Sequence, residues 1–102
     1  MNDYIAHILV VDDDDGIRSL VKQYLNENHF LVTTSNSAEN AEEKVLIIKF
    51  DLIVLDVMMT GKNGLEFIKD TKSKIDTPII LLTAKGETAV SYTHLTLPTK
   101  RI

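Results

Sequence analysis

Phe50-Asp51-Leu52-Ile53-Val54-Leu55-Asp56-Val57-Met58-Met59 is the stretch on which the fold turns. Leu52 to Leu55 is an unbroken apolar run with Ile and Val at its centre, too short for a helix and suited to a strand buried on both faces. The run stops at Asp56, and Gly61 and Gly64 follow. Strand, then carboxylate, then glycine-bearing loop puts an acid at the C-terminal edge of a parallel sheet, where open α/β sheets bind ligands. A lone strand-end Asp more often caps the next turn, but Asp56 has company.

Working outward, His7-Ile8-Leu9-Val10-Val11 is a second apolar run, and it ends in Asp12-Asp13-Asp14-Asp15-Gly16. A run of acids is usually a solvated surface. Directly behind a buried-type strand, however, its first members fall at the sheet edge. Asp15 is expected to cap the next helix, and Ile17, Leu20, Val21, Tyr24 and Leu25 give that helix one apolar face. Phe30 to Thr34 is a third, β-rich run. Asn36-Ser37-Ala38-Glu39 has the form of a capping box with Asn36 as the cap, and the helix behind it sets Ala38, Ala41, Val45 and Ile48 on one side. Beyond Asp56, Leu65, Phe67, Ile68 and Lys72 mark a third helix with a narrow apolar stripe. Ile79 to Leu82 is the fourth apolar run, ending in Thr83-Ala84. The order β-α-β-α-β-α-β predicts an α/β fold, a mostly parallel sheet with right-handed connections and helices on both faces. All four strand ends then point one way, bringing Asp12, Asp13, Asp56 and Thr83 together.

Composition bounds what such an edge serves. The chain has 102 residues, 44% hydrophobic and 25% charged, with a net charge of -4, which fits one domain with an ordinary core. The absence of cysteine rules out disulfides and thiolate metal sites. No apolar run approaches the roughly 20 residues of a membrane span, and Met1-Asn2-Asp3-Tyr4 does not open a signal peptide, so a cytoplasmic location is expected. Without a Lys/Arg cluster, no direct nucleic-acid contact is expected. His7, His29 and His94 show no ligand spacing. Converging carboxylates repel unless a cation joins them, and oxygen-only ligands favour a hard ion such as Mg²⁺. An Asp beside such an ion is also a nucleophile toward phosphorus. Thr83 offers a hydroxyl to a phosphoryl oxygen, although a strand-end Thr serves equally well as a helix cap.

With Ile8-Leu9-Val10-Val11-Asp12-Asp13-Asp14, Asp56-Val57-Met58-Met59 with Gly64, and Leu81-Leu82-Thr83-Ala84 in this order, the sequence resembles the receiver domains of bacterial two-component response regulators. The resemblance runs from about residue 5 to about residue 88. It implies a flavodoxin-like, doubly wound sheet and a phosphoryl group received on Asp56 from a sensor histidine kinase. It also implies Mg²⁺ held directly by Asp13 and Asp56, by Asp12 largely through water, and by the main-chain carbonyl of Met58. Thr83 becomes the switch hydroxyl, and Ala84 lies in the loop beside the phosphoryl group. Such a domain controls an output domain, most often DNA-binding and therefore acting on transcription, and can pair with a second copy when phosphorylated. It is a phosphoacceptor with self-phosphotransfer and autodephosphorylation activity, not an enzyme with turnover on a separate substrate.

The chain departs from the family twice. Thr60 stands where a proline usually follows the second Met, which removes no ligand. More seriously, the family's fifth strand ends in Lys-Pro, and no such lysine is present: Lys85 falls in the wrong loop and Lys100 precedes Arg101. From about Ala89 through Thr99 the residues back-translate into a string resembling the transposase adapter of sequencing libraries. Residues 1–88 are therefore expected to form an incomplete receiver domain and 89–102 an artefactual tail, leaving strand order 2-1-3-4 with the fifth strand and last helix missing. Two other functions fit less well. An aspartate-nucleophile phosphatase of the haloacid dehalogenase type wants a second Asp where Met58 stands. A non-phosphorylated receiver-like interaction module, the better of the two, would not need the intact acids, but the loss of the fifth strand suits it to this chain.

Overall fold

A computed structural model of the chain describes residues 4–57, 59, 63–82 and, by backbone alone, 90–92. Its elements in chain order are β1 (His7–Val11), α1 (Asp15–Glu27), β2 (Leu31–Ser35), α2 (Ala38–Ile47), β3 (Leu52–Asp56), α3 (Gly64–Thr71), β4 (Ile79–Leu82) and β5 (Val90–Tyr92). They form one sheet of order β2-β1-β3-β4-β5. Pairings β1–β2, β1–β3 and β3–β4 are parallel, as the alternation of short apolar runs and crossover helices requires. The expected order 2-1-3-4 is thus the order found.

The far edge adds something the sequence did not show. A three-residue β5, drawn from the segment expected to be a mere tail, pairs with β4 antiparallel, Ile79 opposite Tyr92 and Leu81 opposite Val90. A parallel strand at this position would need a crossover of a dozen or more residues, and residues 83–89 are too few. A strand that turns straight back needs no crossover. Among the described residues the place beside β4 is therefore taken in the sense opposite to the parallel fifth strand that the resemblance implies.

Two apolar layers sandwich the sheet. On one side Leu9, Val11, Ile53, Leu55, Ile79 and Leu81 meet α2 through Ala38, Ala41 and Val45 and α3 through Phe67, with Phe50 closing the layer. On the other, Ile8, Val10 and Val32 meet α1 through Val21 and Leu25. The strand residues alternate between these clusters with the period of two expected of strands. The α1 face is narrower than the periodicity promised. No residue of α1 is buried, and Ile17, Leu20 and Tyr24 are 47%, 66% and 64% exposed. Among the described residues α1 lies alone on its side of the sheet, so no neighbouring helix covers the flanks of its apolar stripe.

The helix starts also differ in detail. The N-cap of α1 is Asp14, whose Oδ1 accepts from the Ile17 N–H at 2.9 Å, while Asp15 lies inside the first turn. Ser37, not Asn36, caps α2 by accepting from the Asn40 N–H at 3.1 Å. The third residue of that turn is then Asn40 rather than Glu39, and no carboxylate closes a box. The capping box is at α3: the Asn63 side chain accepts from the Glu66 N–H at 3.0 Å, and Glu66 accepts from the Asn63 N–H at 3.1 Å.

Candidate functional site

Asp12 follows the last residue of β1 and is 5% exposed, so its carboxylate is held within the protein. Three contacts fix it. Its N–H donates to the Ser35 carbonyl at 3.1 Å, carrying the β1–β2 ladder one residue past the strand. Its Oδ1 accepts the Asp14 N–H at 2.9 Å, folding the chain sharply toward α1. Its carbonyl accepts from Arg18 Nη1 at 2.8 Å. Arg18 also pairs with Asp15 one helical turn back, which ties the acidic loop to α1 from below.

Asp56 closes β3 in register with Leu82 of β4 and is half-buried. The strand end is pinned on both sides. The Val57 N–H donates to the Leu82 carbonyl at 3.1 Å, and the Gly64 N–H donates to the Val57 carbonyl at 3.2 Å. A Cβ on Gly64 would lie 2.9 Å from the Asp56 carbonyl oxygen and 3.0 Å from the Val57 Cα. Only glycine lets the first turn of α3 come this close to the strand that carries the acid.

Asp12, Asp13 and Asp56 meet at this edge. Each offers a carboxylate oxygen, and the three oxygens lie within 4.8 Å of one another, with Asp12 buried, Asp13 exposed and Asp56 half-buried. Two carboxylates about 4 Å apart repel by about 1 kcal/mol in water and about 4 kcal/mol near a protein surface. A divalent cation removes that repulsion. Oxygens bound to Mg²⁺ at about 2.0–2.1 Å sit about 3 Å apart when adjacent and about 4 Å apart across the ion, so the three carboxylates would draw in on binding it. The donor set is all oxygen, half open to water, and it fits a hard cation that keeps some of its waters. Met58, Thr83 and Ala84, the other residues expected here, lie outside the described residues. The sequence did not point to Arg18, Asp14 or Ser35 as supports of Asp12. The Asp15–Arg18 spacing was the signal available for the first.

Comparison with known proteins agrees with this geometry. The family model described as "Response regulator receiver domain" matches residues 8–97. Among curated proteins the chain is 50% identical over 82 residues to protein PetR of Rhodobacter capsulatus and 44% identical over 82 residues to the transcriptional regulatory protein ResD of Bacillus subtilis. Each match covers 80% of this chain but only 35% and 34% of the relatives, so the chain spans about a third of their length. Among solved structures it superposes with a TM-score of 0.75 on the response regulator TrrA of Thermotoga maritima, solved in complex with Mg(2+)-BeF. That match is at 41% identity and covers 80% of this chain and 72% of that one. A Francisella response regulator receiver domain matches with a TM-score of 0.75 at 32% identity, covering 81% of this chain and 69% of that one. With a doubly wound parallel sheet, three carboxylates gathered at its C-terminal edge and these relatives, the chain belongs to the response regulator receiver domain family.

Proposed function

We propose that Asp56 is the phosphoacceptor of a two-component signalling protein, taking a phosphoryl group from the phosphohistidine of a sensor kinase. One observation carries this: a strand-end carboxylate, half-buried and pinned through its neighbours, lies within 4.8 Å of carboxylate oxygens of Asp12 and Asp13. An oxygen of Asp56 attacks phosphorus, the bond from phosphorus to the histidine nitrogen breaks, and the imidazole leaves with the electron pair, giving an acyl phosphate on Asp56. Asp12 and Asp13, with Asp56 and the Met58 carbonyl, would hold Mg²⁺, which supplies positive charge to the transferring phosphoryl oxygens. Asp12, locked by its three hydrogen bonds, serves as the rigid side of that site, and exposed Asp13 as the side that adjusts. Thr83 is assigned as the hydroxyl that meets the phosphoryl group, and Ala84 as the residue beside it. The kinase supplies the activated phosphoryl group, so this domain needs no turnover on a substrate of its own.

The same reading assigns residues 1–88 to the receiver domain and 89–102 to a tail foreign to it. The antiparallel sense of β5 supports that boundary, although the family model runs on to residue 97. The greater length of PetR and ResD supports an output domain that acts on transcription and is controlled by the phosphorylation state of Asp56. No helix among the described residues is long and apolar enough to cross a membrane, in keeping with a cytoplasmic site of action. The test is labelling with acetyl phosphate, with and without Mg²⁺, in the chain and in Asp56→Asn. Labelling that needs Mg²⁺ and disappears in a folded Asp56→Asn protein is expected. Undiminished labelling of that variant would move the nucleophile to another residue, Asp13 first. Continuous hydrolysis of a generic phosphate ester would instead favour the phosphatase.

A further inference from the structure

The side of the molecule formed by α2 and α3 carries a groove that the phosphoacceptor chemistry leaves unused. A cavity of about 270 Å³ lies between the two helices, lined by Glu39, Glu42, Glu43, Leu46, Thr71 and Lys74. A second, of about 550 Å³, opens at the N-terminal edge of the sheet, and Lys49, Lys72, Lys74 and Asp76 are among its lining residues. Leu46 and Lys74 line both, so the two cavities adjoin. The charge of this face is uneven along its length, although Lys74 lines both cavities and Asp76 the second. Glutamates occupy the end beside the first turns of α2, and lysines occupy the end beyond its last turn. Between them stand Leu46 and Ile47, 62% and 82% exposed. Side chains three and four residues apart share a helix face, so Glu39, Glu43 and Ile47 make one row and Glu39, Glu42 and Leu46 the adjacent one.

We propose that this face associates with the same face of a second copy of the chain, about a two-fold axis near Leu46. Charge order identifies the occupant. A polyanion drawn to Lys49 and Lys72 would run onto Glu39 and Glu43, and a basic peptide drawn to the glutamates would meet the lysines. A surface that is acidic at one end, basic at the other and apolar in the middle fits an inverted copy of itself, and a two-fold axis forms each contact twice. The Lys49–Asp76 pair, at 3.4 Å with both side chains largely exposed, leaves Lys49 free to exchange partners at little cost. An interface of two helix ends and a few ion pairs is small, so the pairing is weak, fast and sensitive to salt. None of Asp12, Asp13 and Asp56 lines either cavity, and the lysine end lies at the opposite ends of the strands.

Sedimentation of the full chain up to millimolar concentration, at low and high salt, tests this together with two charge-reversed proteins, Glu39→Lys with Glu43→Lys and Lys49→Glu with Lys72→Glu. The wild type is expected to shift from monomer toward dimer with concentration at low salt and to return to monomer at high salt. Each reversed protein alone should lose at least tenfold in self-association, and an equimolar mixture of the two should regain a one-to-one dimer. Leu46→Arg should be monomeric, and Asp56→Asn should dimerise as the wild type does, which separates this surface from the phosphoacceptor assignment. A wild type that stays monomeric, reversed proteins that associate as strongly as the wild type, or a mixture that restores nothing would each overturn the proposal. So would saturable binding of polyphosphate to the lysine end without self-association.

Discussion

Ser35 is the last residue of β2 and 2% exposed, and its Oγ finds no hydrogen-bond partner among the described residues. Its carbonyl holds the Asp12 amide, so the backbone at this position supports the site while the side-chain hydroxyl bears an unmet desolvation cost. Ser35→Ala keeps the backbone contact and removes the orphaned oxygen. The variant is expected to be more stable by about 1 kcal/mol, read as a higher urea midpoint at unchanged slope, with acetyl-phosphate labelling as in the wild type. A lower midpoint would mean that the hydroxyl has a partner of its own. At this scale Asp12, Asp13 and Asp56 were legible because each stands directly behind a buried apolar run, and adjacency to a strand end places a residue at the sheet edge. Arg18 and Ser35 were not, because their contacts depend on the direction in which the chain turns after Asp12. The choice of Asp14 over Asp15 as cap rests on the same turn: once the Asp12 side chain takes the Asp14 amide, helical geometry starts at Asp15.

Among the elements, α3 has the most direct bearing on the site. It starts at Gly64 against the end of β3, with a capping box fixing its first turn. A methyl group at Gly64 would press on the Asp56 carbonyl and the Val57 Cα, both backbone atoms with little room to yield. Gly64→Ala is expected to lose about 1–3 kcal/mol of stability and to label more slowly at Asp56. Leu65→Ala, at a residue 54% exposed, should do neither. Equal labelling by both variants would show that the approach of α3 does not set the position of Asp56. The apolar face of α2 was legible from spacing through Ala38, Ala41 and Val45, and that of α3 through Phe67 and Ile68 but not Leu65, because these residues pack into one core layer. The face of α1 was overstated, because periodicity reports which residues share a side of a helix but not how much of that side is covered. The capping box was expected one helix too early: Asn36 and Glu39 have the right spacing, but the chain enters helical geometry after Ser37.

For the whole molecule, the two sides of the sheet are unequally covered. α2 and α3 close one, whereas among the described residues α1 alone serves the other, with Val54, Ile80 and Leu82 half-buried. Ile80 and Leu82 alternate with Ile79 and Leu81, which belong to the opposite layer, so they face the α1 side. Joining a crossover helix, a parallel strand ending in Lys-Pro and a last helix after β4, in place of residues 89–102, is expected to cover this surface with that last helix, since a right-handed crossover from β4 packs on the side of α3. The melting temperature should rise by more than about 5 °C, and the phosphoryl-dependent NMR shifts at Thr83 should become larger. No gain in either would show that β5 completes the sheet and that the boundary at residue 88 is misplaced. The parallel order was legible because four short apolar runs alternate with helix-length intervals. The antiparallel β5 was not, since its residues alternate too weakly to declare a partner. The strand order has one further consequence, for how the protein is made. β1, the first of these strands to be made, is an interior strand; β2 joins one of its edges, β3 the other, β4 joins β3 and β5 joins β4. No strand has to be threaded between two already paired, so the nascent chain extends the sheet from its first strand outward, and every arriving segment meets an edge that is already standing.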